Sequence, residues 1–132
     1  MINVKKALPN CIVKKGLLKS YTYKITCQNS VYHVLVLPVN KYHMVTVNSK
    51  HIWNIKSGSL NGIQFKTNAS HLLQLQDFMS YENPIITYKQ PPYKTLKYLN
   101  ESDVVDISDQ SEVYGIPIFQ SVAKLVEHFQ KK

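Results

Sequence analysis

Tyr21, Tyr23, Ile25 and Cys27 alternate with Thr22, Lys24, Thr26 and Gln28, the period-two pattern of a strand with one face buried. CIVK, residues 11–14, precedes it as a short apolar strand ending in a lysine pair, Lys14 and Lys15. Gln28, Asn29 and Ser30 mark a turn. VYHVLVLPV, residues 31–39, is apolar at consecutive positions and predicts a central strand covered on both faces; it ends near Pro38, which lacks a ladder donor. YHMVTV and KHIWNI flank Asn48 and Ser49 as a second hairpin, SGSLNG reads as a loop, and IQF, residues 63–65, as one more short strand.

Farther on the period changes. In NASHLLQLQDFMS the residues Ala69, Leu72, Leu73, Gln76 and Met79 follow helical spacing after Asn68, a good capping residue, and predict a helix over about 69–79. PIITY is a strand candidate broken by QPPYK, and VVDI a brief strand or turn inside an acidic loop. Ile118, Val122, Leu125, Val126 and Phe129 then form a helical stripe, so a second helix is expected over about 118–131. The expected fold class is α+β, a central antiparallel sheet flanked by two helices. It makes a single domain over residues 1–132, strand-rich over 9–66.

Charge sharpens this picture. The chain carries 16 basic side chains against 8 acidic ones, for a formal net charge of +8. The ten lysines up to residue 76 meet no acid, because the first acidic residue is Asp77. Such asymmetry calls for an anionic partner, or for the C-terminal acids to fold back over the basic part. Every basic side chain is lysine. A lysine offers a phosphate a point charge and not the bidentate fork of a guanidinium.

Cys11 and Cys27 show neither CxxC nor His/Cys ligand spacing and read as buried reduced thiols. The N-terminus has no secretory pattern and no run of about 18 apolar residues occurs, so a cytoplasmic protein without a membrane partner is expected. Enzyme signatures such as GxSxG, a P-loop or HExxH are absent. The acids of ESDVVDISD lack the glycine and closing glutamate of a calcium loop, and neither metal nor cofactor is expected. Of the histidines, His33 stands out because it interrupts the apolar central strand. His33, His43 and His51 are the residues a small metal-independent ribonuclease would use for general acid and base. YKQPPYKTLKY, residues 88–98, interleaves tyrosine and lysine either to stack bases beside phosphates or to pack a proline-stiffened crossover against the core.

Laid end to end, these elements resemble the Src homology 2 family, whose central sheet begins with a phenylalanine-leucine-valine-arginine strand. CIVK looks like that strand with Lys14 in place of the arginine, and YTYKI looks like the next, with Thr22 as the short residue facing phosphate. His33 in VYHVLVL matches the family's pocket histidine, and FKTNASHLLQLQDFM resembles its second helix. EVYGIPIFQSVAKLVEHF resembles either the family's first helix in a permuted order or a second helix after a long insertion. Gly16 stands where the family often has serine. The resemblance implies a phosphotyrosine pocket at Lys14, Thr22 and His33. Independently, Lys14 shares strand parity with Ile12 beside apolar surface, and Lys15 and Lys24 join it as further cations for a phosphate, with Lys14 as the pocket cation and Lys15 the more solvated of the pair. The function expected is therefore a non-enzymatic recognition module with no catalytic residues, binding a phosphorylated protein or peptide. A nucleic acid held by the basic N-terminal face is the alternative partner.

Overall fold

The computed structural model of the chain describes residues 2–59 and 64–132, and side chains outside residues 58–70. Its elements in chain order are α1 (Val4–Ala7), β1 (Ile12–Lys15), β2 (Tyr23–Cys27), β3 (Ser30–Leu37), β4 (His43–Val47), β5 (Ile52–Ser59), β6 (Gln64–Gln74), α2 (Gln76–Met79), β7 (Pro84–Tyr88), β8 (Lys94–Tyr98), β9 (Val104–Asp106), β10 (Glu112–Val113), β11 (Ile116–Phe119) and α3 (Val122–Gln130). Among the described residues strand far outweighs helix, and the strands form two mixed sheets of six and five. This overturns the expected α+β arrangement of one antiparallel sheet between two helices.

The six-stranded sheet has the order β1-β2-β3-β7-β11-β10 and the five-stranded sheet the order β6-β5-β4-β8-β9. β3 pairs in parallel with β7, and β4 in parallel with β8. Two chain segments therefore run side by side through both sheets, each changing sheet at a proline: Pro38 on one, Pro91 and Pro92 on the other. The crossings are tied by Lys89 N–H to Leu37 O (2.9 Å), Gln90 N–H to Val39 O (3.1 Å) and Tyr93 N–H to His43 O (2.8 Å). Proline suits these corners, where the ladder is interrupted and a missing donor costs nothing.

Both faces of the six-stranded sheet are covered, which is why β3 and β7 read as nearly unbroken apolar runs. Between the sheets lie Leu37, Val45, Trp53, Phe78, Ile86, Tyr88 and Ile118. On the outer face α1 and α3 pack Val4, Leu8, Leu125, Val126 and Phe129 onto Val13, Ile25, Val34 and Ile85. Each of these large side chains contributes roughly 1.5–3 kcal/mol by leaving water.

The expected helix over 69–79 is mostly strand. β6 extends to Gln74 and pairs with β5, with Leu73 opposite Trp53, and only Gln76–Met79 is helical. Leu73 and Leu75 pack inward while Leu72 is 54% exposed, so a period of two governs the segment. Asn68 lies inside β6, its side chain among those not described, and Ile63 of the expected IQF strand falls outside the described residues.

The C-terminal helix begins later than expected, at Val122, capped by Ser121, whose Oγ accepts from Lys124 N–H. Ile118 belongs to β11 and the inter-sheet core, while Val126 and Phe129 belong to the outer one. One apolar stripe in the sequence thus serves two cores.

Cys11 and Cys27 are joined in a disulfide and are not the reduced thiols expected. The antiparallel register that pairs Ile12 with Thr26 sets the two cysteines opposite each other one step farther out, with Cα atoms 4.6 Å apart. That register, and not a spacing motif, brings them together. The turn between β2 and β3 is as expected: Gln28 and Asn29 both have positive φ (51° and 67°), the twist-matched geometry of a two-residue hairpin.

Candidate functional site

Three of the five expected site residues fall in one row. β1 pairs Lys14 with Lys24, and β2 pairs Lys24 with His33. Register partners stand on the same face of a sheet, so both lysines and the histidine share the face that, farther along β3, carries Leu37 into the inter-sheet core. At the β1 edge the second sheet no longer covers this face: Ile12, on the same side of β1, is 61% exposed. The cations therefore stand where the core opens to solvent.

Lys14 is exposed, Lys24 half-buried and His33 buried at 7% exposure. His33 is fixed from its far side. Its Nδ1 donates to Glu82 O at 2.7 Å, and its backbone N–H donates to Asn83 O. Asn83, at φ 49°, returns a side-chain bond from Nδ2 to Val31 O. The carbonyl holds the proton on Nδ1 and leaves Nε2 as the ring nitrogen for a ligand.

Tyr21 and Tyr81 complete the site, and sequence reading missed both. The Tyr21 ring lies edge-on to His33 (4.9 Å between centroids) and to Tyr81 (5.0 Å), and Tyr81 is tilted over His33 at 4.8 Å. The alternation in YTYKI placed Tyr21 with Tyr23, yet Tyr21 packs against the inter-sheet core and Tyr23 against the outer one. Thr22 N–H donates to Val34 O, although the register partner of Val34 is Tyr23. Two residues thus oppose one, and this bulge-like step turns Tyr21 to the other face. Tyr81 follows α2 in a loop without any periodic signal.

The other two expected residues are placed differently. Thr22 Oγ1 accepts from Val36 N–H at 3.0 Å and continues the ladder beyond β2. Lys15 is the register partner of Tyr23 and so belongs to the opposite face, where with Lys5, Val4 and Val13 it borders a cavity of about 260 Å³.

Electrostatically, Lys14 and Lys24 are a like-charge pair directly across two strands, with Cβ atoms about 5 Å apart by ladder geometry. Among the described residues the ion pair is Lys124 with Glu127, so no acid neutralises the row. The C-terminal acids are used locally: Asp106 accepts from Ser108, which holds its carboxyl below the usual carboxylate range, and Asn100 bonds Asp103.

Of the histidines nominated for a ribonuclease, His43 and His51 do not meet. His43 lies beside Ser57 in the β4–β5 register, and His51 lies six residues before Ser57, roughly 20 Å along a strand. His43 Nδ1 is also occupied, accepting from Asn40 N–H at 3.0 Å. In the tyrosine–lysine stretch, Tyr88 is fully buried against Thr95, while Lys94 lies over Tyr93 and Lys97 over Tyr114. Its first tyrosine thus packs the core as a crossover would. Among the described residues no group of three or more His, Cys, Asp or Glu is placed to hold a metal, and no described helix is long and apolar enough to cross a membrane.

In comparisons with known proteins, no family model, no curated protein and no solved structure matches the chain.

Proposed function

We propose that the chain is a recognition module that binds a phosphate carried on a tyrosine side chain, using Lys14, Lys24 and His33 for the phosphate and Tyr21 and Tyr81 for the aromatic ring. The observation that carries this reading is the Lys14–Lys24 register pair. Like charges directly opposite cost stability, on the order of 0.2–1 kcal/mol, and no acid offsets them. A dianionic group of about −1.5 to −2 charges would reverse the sign of that cost. As an imidazolium, His33 adds an Nε2–H donor to the dianion while its Nδ1–H stays on the Glu82 carbonyl, and the two tyrosines offer edges and faces to a ring.

The reading keeps the three-strand phosphate segment of the Src homology 2 resemblance and leaves its two-helix architecture behind. A cytoplasmic location is part of this proposal, and the Cys11–Cys27 bond runs against it, because the reducing thiol pool there keeps such cysteines apart.

Fluorescence titration with a phosphotyrosyl peptide and its unphosphorylated twin, alongside single-stranded RNA and DNA at two salt concentrations, tests the reading. Preference for the phosphorylated peptide supports it. Equal affinity for the twins, or tighter and salt-sensitive binding of nucleic acid, would transfer the basic face to another partner.

A further inference from the structure

We propose that the β1–β2 connection is a peripheral membrane-docking tip, seating Leu17 and Leu18 at the headgroup–acyl boundary of a bilayer containing anionic lipid. This goes beyond phosphate recognition and rests on the apolar apex of Leu17 and Leu18, sharing only Lys14 with the phosphate row.

Leu17 is 80% and Leu18 107% exposed, and they are the most exposed large hydrophobic side chains described. Two adjacent leucines wholly in water at the apex of a hairpin are costly to solubility and contribute nothing to either core. Leu18 is also held at φ 57°, a left-handed conformation unfavourable for a residue with a Cβ. The turn is not loose: Gly16 N–H donates to Thr22 O at 2.9 Å, Lys19 N–H donates to Gly16 O at 3.3 Å, and Gly16 packs directly on Tyr21. The backbone thus presents the leucines on a built platform.

Charge identifies the occupant. Lys14, Lys15 and Lys19 flank the leucines, all three exposed, and no acidic residue precedes Asp77 in the chain. A cationic collar around an apolar apex matches the layering of a bilayer, with anionic headgroups outside and hydrocarbon beneath. A bilayer is also a partner that needs no shape complementarity to a narrow tip. The expectation of no membrane partner followed from the lack of a spanning segment, and a peripheral tip requires none.

The test is sedimentation of the full chain with vesicles of phosphatidylcholine alone and of phosphatidylcholine mixed with phosphatidylserine. The expected result is binding to the mixed vesicles that weakens with salt. It should fall at least about tenfold in Leu17→Ser/Leu18→Ser, which keeps every charge and an unchanged thermal unfolding transition. Leu18→Trp supplies a second readout: its emission shifts to the blue on mixed vesicles, above the constant signal of Trp53, which is fully buried. Undiminished binding by the double serine variant, equal binding to both vesicle types, or no binding overturns the proposal. The vesicles carry no phosphopeptide and the substitutions spare Lys14, Lys24 and His33, so failure here leaves the phosphate reading intact, and the reverse holds.

Discussion

Gly16 lies so close to Tyr21 that a Cβ at residue 16 would overlap the Tyr21 carbonyl oxygen and come within 2.9 Å of its ring. The glycine is needed for close approach, not for an unusual φ. Because the Tyr21 ring is the edge-on partner of both His33 and Tyr81, this contact positions the aromatic part of the site. Gly16→Ala is expected to cost about 1–3 kcal/mol of stability by overpacking. Urea unfolding checks this, and an unchanged midpoint would mean that residues 16 and 21 do not touch.

The like-charge pair predicts a trade between stability and binding. Lys14→Thr removes the repulsion with Lys24 and places a β-favouring residue on an edge strand, so stability should hold or rise by up to about 1 kcal/mol. Phosphopeptide affinity should fall at least tenfold, about 1.4 kcal/mol. A variant that loses stability and keeps its affinity would make Lys14 a structural residue.

Opening the disulfide should weaken the fold without dismantling it. Cys11 and Cys27 are separated by 16 in sequence, and closing a loop of that size stabilises by about 3 kcal/mol in the chain-entropy view. Paired unfolding curves with and without reductant should differ by about 2–3 kcal/mol. Coincident curves would show that the thiols are not joined.

Tyr88 gives a pH prediction whose sign follows from burial. Desolvation pushes its hydroxyl from the ordinary 10.0 up to about 12, against a smaller lowering by the hydrogen bond with Thr95. The folded state therefore keeps its proton where the unfolded state has lost it. The associated stability is complete below pH 10.0 and is lost as pH rises from there towards about 12, a fall of about 2–3 kcal/mol. Phenolate absorbance should show one of the nine tyrosines resisting ionisation. Tyr88→Phe should remove that part of the pH dependence, and a variant with an unaltered profile would assign it elsewhere.

The strands were legible wherever local pattern and tertiary placement agreed. Residues 31–39 read as a doubly covered strand, and β3 is sandwiched between the two cores. Pattern failed where one segment answers to two partners. HLLQLQ satisfies both periods, and pairing with Trp53 and Asn54 on β5 selects the strand. Ile118 fits the spacing of α3 yet is claimed by β7 through its pairing with Ile86.

Of the candidate site, only the placement of its residues can be compared with the sequence. Lys14, Lys24 and His33, grouped on the family resemblance and on their charge, share one row of the sheet. Thr22 and Lys15 were grouped with them because a sequence shows neither the bulge-like step beside Tyr23 nor which face a lysine takes. Tyr81 was invisible, since α2 and the Glu82 carbonyl that bring it to His33 depend on contacts about 49 residues apart in the chain.

Residue-resolved nuclear magnetic resonance during titration with a phosphotyrosyl peptide tests the central claim most directly. The account predicts that the largest amide shifts cluster on Lys14, Lys24 and His33 and at Tyr21 and Tyr81, and that the unphosphorylated peptide produces none of them. Shifts confined to the β4–β5–β6 surface, or identical shifts with both peptides, would contradict it.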